Sequence, residues 1–428
     1  EIIQKLNDAG VGKSVYYPQP VPRMTYYRNK YGYNPEMFKA AAEISDQSIA
    51  LPVGPHVSQD DVRCIIETFG RLIKGNPNNP MNFSAIPMQD RRVVIIGGAG
   101  FIGHNLALAL KERGADVAVV DSLQVNNLLS FTSAEPDLPD RDLYLAILNQ
   151  RLDLLRDAKI PLYPQDVRDY HALSRIFSQL KPQVVIHLAA VAHAGRSNKD
   201  PHSTFDHSLR TLENALDCAR GNVEQFIYFS SSMAYGNFTA EEVTEEHPLD
   251  PIGIYGALKL AGEKIVIAYH QVFGLPYTIV RPSALYGPRC VSRRVGQIFI
   301  ENALNGGKLH IEGDGSERVD FTNIEDLISG IMLMVENPAA RNQIFNLTYG
   351  QSRSIKELAA IVKEHFPGVE VAHVERDKLI PYRGTLSVKK AAELLGYTPK
   401  VPIEIGIPKY IEWYRTLSHS PALPDLSA

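Results

Sequence analysis

Short apolar runs recur along the chain after residue 90 and alternate with stretches of helical spacing. Five of these runs lie at residues 93–96, 117–120, 184–188, 226–229 and 277–280. They are continuously apolar rather than alternating, which indicates strands that are buried on both faces. Strands of this kind separated by helices predict an α/β fold in which helices cover both sides of a parallel sheet.

Two segments break this rhythm. Residues 76–90 are rich in Pro and Asn and show no periodicity, which predicts a linker. Residues 131–160 separate the second strand from the later ones, and their centre, 143–155, predicts an amphipathic helix. We interpret 131–160 as an insertion at a strand–helix junction.

The segment before the linker, residues 1–75, contains many Tyr and Pro and is barely long enough to build a core alone. It ends in a predicted helix. Ser58 and Asp61 resemble a capping box there, and apolar residues between Val62 and Ile73 fall at helical spacing. We expect a small α+β appendage that is stabilised by packing against another part of the protein.

Composition and charge limit the classes of partner. The chain is 44% hydrophobic and 21% charged, as in soluble globular proteins, and its formal net charge of −4 argues against a nucleic-acid or anionic-membrane partner. No apolar run reaches about 18 residues, so no membrane span is expected. The chain begins at Glu1 rather than Met, so its lack of a signal peptide says little.

Three cysteines, Cys64, Cys218 and Cys290, are odd in number and far apart. This spacing predicts neither a disulfide framework nor a metal site. A reduced, cytoplasmic setting is therefore expected.

A glycine-rich turn follows the first predicted strand. Gly97, Gly100 and Gly103 form a G-x-x-G-x-x-G pattern that precedes a helix predicted at 105–112. Such a turn lets a pyrophosphate approach the backbone and places free N–H groups of a helix N-terminus against its charge. Asp121 ends the second strand about 20 residues later, where its carboxylate can accept hydrogen bonds from ribose hydroxyls and would repel a 2′-phosphate. The two features together predict a Rossmann-type, doubly wound sheet that binds NAD rather than NADP.

A candidate catalytic group lies further along the chain. Tyr255 and Lys259 are four residues apart at the start of a predicted helix and so share one face. The ammonium favours the phenolate, and lowering the tyrosine pKa from about 10 to near 7 needs roughly 4 kcal/mol of differential stabilisation. The serines 230–232 follow an apolar strand, and Ser231 could bond the substrate oxygen during proton transfer. Taken alone, the pair is also compatible with chance spacing on a helix surface, and the serines with a strand end.

Together these residues resemble the extended short-chain dehydrogenase/reductase family, the group of nucleotide-sugar epimerases, dehydratases and decarboxylases. The resemblance extends from Arg92 to about Leu417. In chain order, it is carried by GGAGFIG at 97–103, DVRD at 166–169, HLAA at 187–190, FSSSMAYG at 229–236, YGALK at 255–259, RPSALYGPR at 281–289, GDGSERVDF at 313–321, NIEDL at 323–327 and LLGYTPKV at 394–401.

This resemblance implies the roles of individual residues. Ser231, Tyr255 and Lys259 match the catalytic residues. The residues that match the NAD site are Gly97, Gly100, Phe101, Ile102, Gly103, Asp121, Asp166, Val167, Leu188, Ala189, Ala190, Tyr255, Lys259 and Pro282. Ser232, Arg318 and Arg383 match substrate contacts, the two arginines being suited by their forked charge to the substrate diphosphate.

The resemblance also implies an organisation for the domain. An NAD-binding half lies mainly in 91–280, a smaller C-terminal substrate-binding subdomain mainly in 281–417, and a tail follows in 418–428. The family forms dimers through two helices per subunit, so we expect a homodimer.

The same resemblance separates possible reactions. Family 4,6-dehydratases carry Thr-Asp-Glu at the positions of Ser231, Ser232 and Met233, where the Asp and Glu act as acid and base. A methionine cannot transfer a proton, so dehydration is not expected, and decarboxylases usually keep the glutamate as well. Serine-rich versions of the stretch are similar to 4-epimerases. Three departures leave the sugar and the carbon attacked open: His207 and Arg210 in a family N-x-x-G-T stretch, Ala284 where an Asn is common, and the long 131–160 insertion.

Residues 6–73 resemble the C-terminal end of DegT-type sugar aminotransferases, which use pyridoxal phosphate. The matching stretches are GVGKSVYYPQP at 10–20, ALPVGP at 50–55 and the helix after Asp61. The Schiff-base lysine and its acidic partner lie upstream of this region in that family, so no aminotransferase activity is expected from this chain. One interpretation is that the segment is a fusion remnant, which packs on the main domain or mediates dimerisation. The other is that it is what is left of an upstream catalytic domain.

The leading hypothesis is an NAD-dependent epimerase of a nucleotide-linked sugar, with C4 preferred and a UDP-sugar favoured. Hydride would leave the sugar, the ketone would rotate, and hydride would return to its other face. A 2-epimerase or a 4-ketoreductase of the same family is the alternative. A non-catalytic, NAD-bound scaffold for an aminotransferase partner is a different class of protein, and the intact Ser231, Tyr255 and Lys259 argue against it.

Overall fold

A computed structural model describes residues 25–33, 86–132, 140–192 and 194–418. The chain divides into two compact units, Glu1–Phe83 and Ser84–Ala428. In the first unit the described part contains one helix, α1 (Thr25–Tyr31). The helix predicted after Ser58, most of the 1–75 appendage and the end of the tail lie outside the described residues.

The strands and helices of the second unit follow in two lists. The strands are β1 (Arg92–Ile96), β2 (Asp116–Asp121), β3 (Leu162–Pro164), β4 (Val184–His187), β5 (Gln225–Phe229), β6 (Glu242–Val243), β7 (Tyr277–Arg281), β8 (Leu285–Tyr286), β9 (Leu309–Glu312), β10 (Arg318–Val319), β11 (Thr322–Asn323), β12 (Gln343–Asn346), β13 (Arg353–Ser354), β14 (Val371–Val374) and β15 (Thr385–Leu386). The helices are α2 (Phe101–Glu112), α3 (Leu128–Thr132), α4 (Arg141–Asp157), α5 (Tyr170–Leu180), α6 (Ala194–Lys199), α7 (Pro201–Phe205), α8 (Thr211–Ala219), α9 (Gly253–Phe273), α10 (Val295–Leu304), α11 (Ile324–Glu336), α12 (Ile355–His365), α13 (Lys389–Leu395) and α14 (Ile403–Ser418).

Seven strands form one parallel sheet in the order β3-β2-β1-β4-β5-β7-β12. The first six follow the order of a Rossmann-type doubly wound sheet. Four of the five predicted apolar runs lie within these strands, and the fifth, 184–188, extends one residue past β4. The predicted α/β fold class is therefore confirmed.

The two faces of the sheet are buried by different sets of helices. In β1, Val93 and Ile95 pack into one apolar cluster, which includes Leu106 of α2 and Leu327 of α11. Their neighbours Val94 and Ile96 pack into another cluster on the opposite side, with residues of α5, α8 and α9. Because successive side chains of a strand point to opposite faces, continuous apolarity is what a sheet buried on both sides requires.

The second half of the domain does not form a wholly separate body. A third apolar cluster joins α10, α12 and α14 into the smaller subdomain. β12 and α11 also come from the region after residue 280, yet β12 pairs with β7, and α11 packs on the sheet. The predicted division into 91–280 and 281–417 is therefore crossed by this returning strand and helix.

The predicted linker, 76–90, contains the boundary between the two compact units, which falls after Phe83. Its last residues already belong to the domain that follows. The backbone N–H of Ile86 donates to the carbonyl of Glu336, and Met88 is buried in the core of the sheet. The backbone of Ile86 and the side chain of Met88 thus anchor the start of the domain.

The insertion at 131–160 lies between β2 and β3, and its main element is α4. Leu143, Ile147 and Leu148 of α4 are buried in the smaller subdomain, whereas Leu155 is buried against the sheet. The Tyr144 hydroxyl donates to Glu301 Oε2 of α10 at 2.7 Å. The insertion therefore packs against both halves of the domain.

The described part of the chain was searched for membrane-spanning helices and for metal-binding clusters. It contains no helix long and apolar enough to cross a membrane. Among the same residues, no group of three or more His, Cys, Asp or Glu side chains is arranged to hold a metal ion.

Candidate active site

The glycine turn links β1 to α2 at the edge of a cavity. Gly97 has a φ of +78°, and a Cβ at this position would lie 2.8 Å from the backbone nitrogen of Ala189. A Cβ at Gly103 would lie 2.4 Å from the Cα of Gly98. Both positions need glycine for the helix to begin this close to the strand. The N-terminus of α2 is then available to an anionic group in the cavity.

Asp121 at the end of β2 is 9% exposed and held in a fixed orientation. Its Oδ2 accepts from the backbone N–H of Ala99 at 3.0 Å, and its Oδ1 accepts from that of Leu123 at 2.7 Å. Burial raises the pKa of Asp121, and these two hydrogen bonds oppose the rise. The carboxylate thus organises the turn and also lines the cavity, where it can contact a ligand.

Most residues predicted to hold the cofactor line this same cavity. They are Gly97, Gly100, Phe101, Ile102, Gly103, Asp121, Asp166, Val167, Leu188, Ala189 and Ala190. A glycine turn at a helix N-terminus, with an acidic side chain at the end of the next strand, fits a dinucleotide. His207, Arg151 and Arg294 also line the cavity. The two arginines were not predicted from the sequence.

A second cavity, of about 420 Å³, adjoins the first and shares part of its wall. This volume lies within the range of roughly 300–1,000 Å³ usual for small-molecule sites. It is lined by the remaining predicted residues except Arg318: Ser231, Ser232, Tyr255, Lys259, Pro282 and Arg383. The structure therefore brings the three candidate catalytic residues together.

The catalytic candidates are held by the strand ends and by α9. Lys259 is 6% exposed, and its Nζ donates to the carbonyl of Phe229 at 2.7 Å. The same Nζ lies 5.9 Å from the centroid of the Tyr255 ring. The Oγ of Ser231 accepts from the backbone N–H of Met233 at 3.2 Å. These contacts fix the three side chains on one wall of the second cavity.

A positive charge and a hydroxyl act on the candidate base against the effect of its burial. Burial raises the pKa of Tyr255, while the charge of Arg294 and a hydrogen bond with Ser231 lower it. Burial also lowers the pKa of Lys259 to about 8, and the Glu263 carboxylate opposes this change. Arg294 lies in the wall common to both cavities, and its Nη2 donates to the carbonyl of Ala192 at 3.2 Å. The predicted lysine is thus joined by an arginine from the loop before α10.

Of the residues predicted to contact the substrate, Arg318 of β10 is the one that the structure brings to neither cavity. The Nε of Arg318 donates to Ser352 Oγ at 3.1 Å, and the side chain is 51% exposed outside both cavities. Its neighbour Val319 lines the second cavity instead. Adjacent residues of a strand face opposite sides, so one step in register turns the arginine away.

Arg383 is the other arginine that was predicted to contact the substrate. It lines the second cavity, and its Nη2 is 3.7 Å from Glu317 Oε1. Its Nε is buried without a hydrogen-bond acceptor among the described residues. Burial lowers the pKa of Arg383. A buried donor without a partner is costly, so this edge is suited to an anionic ligand.

Residues 93–348 match the model of the NAD dependent epimerase/dehydratase family, which is more than half of the chain. The chain belongs to this family. NAD is therefore its cofactor, and its substrates belong to the nucleotide-sugar class on which family members act. Residues 1–70 match the model of the DegT/DnrJ/EryC1/StrS aminotransferase family.

Individual relatives span two chemistries. A putative UDP-glucose 4-epimerase of Methanocaldococcus jannaschii is 29% identical over 336 residues, covering 76% of this chain and 98% of its own. The mouse dTDP-D-glucose 4,6-dehydratase is 28% identical over 338 residues, covering 77% of this chain and 90% of its own. Among solved structures, the UDP-glucose 4-epimerase of Thermotoga maritima, determined with UDP-glucose, is 29% identical. It has a TM-score of 0.63 and covers 76% of this chain and 99% of its own.

Proposed function

We propose that this enzyme inverts C4 of a UDP-linked sugar. The observation that carries the proposal is the grouping of Ser231, Tyr255 and Lys259 in one cavity that adjoins the cofactor cavity. A sugar hydroxyl beside Tyr255 can lose its proton to the phenolate at a carbon that also faces the cofactor.

Each residue of this group has a separate task. Tyr255 takes the proton from the sugar hydroxyl and later returns it to the same oxygen. Ser231 holds that oxygen, and Lys259, fixed by the Phe229 carbonyl, stabilises the phenolate. When bound, NAD supplies the acceptor and donor of hydride. Inversion then needs only that the keto sugar turn over within the cavity before hydride returns.

The chemistry of the strand end favours epimerisation over dehydration. Ser232 and Met233 are 2% and 8% exposed and line the cavity. Neither side chain is a carboxyl group. Among the described residues that line the cavity, the carboxylates are Glu312 of β9 and Asp377 beyond β14, and neither belongs to the strand end that carries Ser231. The strand end itself therefore supplies no acid–base pair for removing water.

Positive charge in the cavity supports a nucleotide diphosphate as the carrier of the sugar. Arg293, Arg294 and Arg383 all line it, against the two carboxylates of Glu312 and Asp377. Guanidinium groups bind phosphate oxygens through paired hydrogen bonds. The relative that was solved with UDP-glucose favours uracil as the base.

Product analysis tests this function. The purified enzyme is incubated with UDP-, CDP- and dTDP-linked hexoses, and the sugars are identified by NMR while NADH absorbance is followed. We expect interconversion of a C4 epimer pair, fastest for a UDP-sugar, without net consumption of NADH. Net NADH consumption would identify a reductase, and a 4-keto-6-deoxy product would identify a dehydratase; either result contradicts the proposal.

A change at Arg294 should shift the pH dependence of the reaction. The phenolate is the form that takes the proton, so activity rises as pH passes the pKa of Tyr255. Arg294 lowers this pKa, so Arg294→Gln is expected to move the rise in kcat/KM to higher pH by roughly one unit. Arg294→Lys, which keeps the charge, should leave the rise much closer to the pH at which the parent enzyme shows it.

The matched control is Arg113→Gln. Arg113 is 61% exposed and pairs with Glu336 outside both cavities. The control should leave the pH profile in place. If Arg294→Gln lowered kcat/KM equally at every pH, its charge would not act on Tyr255.

A further inference from the structure

The insertion helix α4 carries a buried charge that the proposed reaction does not use. The buried residues of α4 are Leu143, Tyr144, Ile147, Leu148, Arg151 and Leu155, which form one stripe along the helix. Arg151 is 1% exposed and is the only charged residue in this stripe. Placing a guanidinium in a buried stripe carries a large desolvation cost unless a partner offsets it.

The protein partners of Arg151 leave this cost largely uncompensated. Its Nε donates to the carbonyl of Arg289 at 2.9 Å, and its Nη2 donates to the same oxygen. A carbonyl is neutral, and no carboxylate of the described residues lies within the 4.0 Å of an ion pair. Burial lowers the pKa of Arg151 to about 10, and attraction to Cys290 and, less strongly, to Asp121 opposes this change. Nη1 has no acceptor among the described residues, so one edge of the guanidinium is free.

This free edge belongs to a side chain that lines the cofactor cavity. Arg151 lines it together with Gly100, Gly103 and Asp121. A dinucleotide bound at a glycine turn of this kind places its pyrophosphate at the helix N-terminus. Gly100 and Gly103, which line the cavity together with Arg151, lie at that N-terminus. The pyrophosphate carries two negative charges. It can therefore supply the anionic hydrogen-bond acceptor that the buried guanidinium of Arg151 lacks.

We propose that the insertion is part of the cofactor site and that Arg151 donates from its free edge to a phosphate of bound NAD. The insertion then has a function that its sequence does not reveal. Tyr144 of the same helix bonds Glu301 in the substrate-binding subdomain, so α4 ties the cofactor to both halves of the domain. This proposal does not depend on which sugar the enzyme converts.

The test compares ligands with and without phosphate on Arg151→Gln. After bound nucleotide has been removed, the affinities of NAD, ADP and adenosine are measured by calorimetry. Loss of one hydrogen bond to a charged group should weaken NAD and ADP by about 10- to 100-fold. The affinity for adenosine should stay within about twofold, because adenosine has no phosphate to contact. Arg151→Lys keeps the charge, so its affinities for NAD and ADP should lie between those of the parent protein and those of Arg151→Gln.

Arg156→Gln is the matched control, since Arg156 lies on the same helix, is 73% exposed and pairs with Asp153. It should leave all three affinities unchanged. The proposal is overturned if NAD and ADP bind Arg151→Gln as well as they bind the parent protein. It is also overturned if adenosine loses affinity by the same factor as ADP, since Arg151 would then only support the loop at Arg289. If the glutamine variant does not fold, the same comparison on Arg151→Lys decides, with a loss for ADP but not adenosine expected.

Discussion

Tyr255→Phe is expected to lower kcat by about 10²- to 10⁴-fold, the usual contribution of a positioned acid–base group. The substitution removes one oxygen and leaves the ring beside Lys259, whose Nζ lies 5.9 Å from the ring centroid. Among the described residues of this lining the other phenol is that of Tyr286, whose ring is buried in the smaller subdomain. Steady-state rates of epimerisation measure the loss.

The control for this variant is Tyr228→Phe. The Tyr228 hydroxyl lies 3.5 Å from the carbonyl of Lys259, and its ring is 5.3 Å from the same Nζ, but Tyr228 lines neither cavity. Removing this second buried hydroxyl should change kcat only a few-fold. A Tyr255→Phe variant that kept more than a tenth of the parent rate would show that another group moves the proton.

Arg281→Met should lower the free energy of unfolding by about 3–5 kcal/mol, the usual cost of breaking a buried ion pair. Arg281 Nη2 lies 2.7 Å from Glu263 Oε2, and the two side chains are 2% and 1% exposed. The variant would leave the Glu263 carboxylate buried without its cation, next to Ser230 and one turn beyond Lys259. Urea unfolding of parent and variant at matched NAD concentration measures the difference.

Two comparison variants separate the cost of leaving Glu263 buried and unpaired from the cost of replacing any arginine by methionine. Arg113→Met breaks an exposed pair and should cost about 0–1 kcal/mol. Adding Glu263→Leu to Arg281→Met removes the stranded carboxylate and should recover part of the loss. Equal costs for Arg281→Met and Arg113→Met would contradict the importance assigned to the buried pair.

The strands were predictable where burial on both faces leaves a continuous apolar signature, as in β1 and β7. β12 was not, because its four residues, Gln343–Asn346, include two polar ones. Asn346 is nevertheless buried because its side chain donates to the carbonyls of Val243 and Ser387. Such long-range hydrogen bonds have no local pattern in the sequence.

The candidate site divides in a similar way. The i, i+4 spacing of Tyr255 and Lys259 fixes their common face within one helix, so sequence alone sufficed. Arg151 and Arg294 reach the cavities from an insertion and a loop, and only the tertiary fold brings them there. Arg318 shows the reverse case, since one residue of strand register places its neighbour Val319 in the cavity lining instead. The homodimer, the cytoplasmic setting and the role of residues 1–75 stay predictions.

Transfer of an isotope at C4 tests the proposed reaction most directly. The enzyme is given a UDP-sugar that carries deuterium at C4, in the presence of excess unlabelled NADH, and the product is analysed by NMR. Hydride that leaves C4 and returns to the same carbon should place deuterium at C4 of the inverted sugar, with the NADH pool left unlabelled and unconsumed. Inversion at another carbon, or loss of the deuterium from a C4-inverted product, would contradict the account.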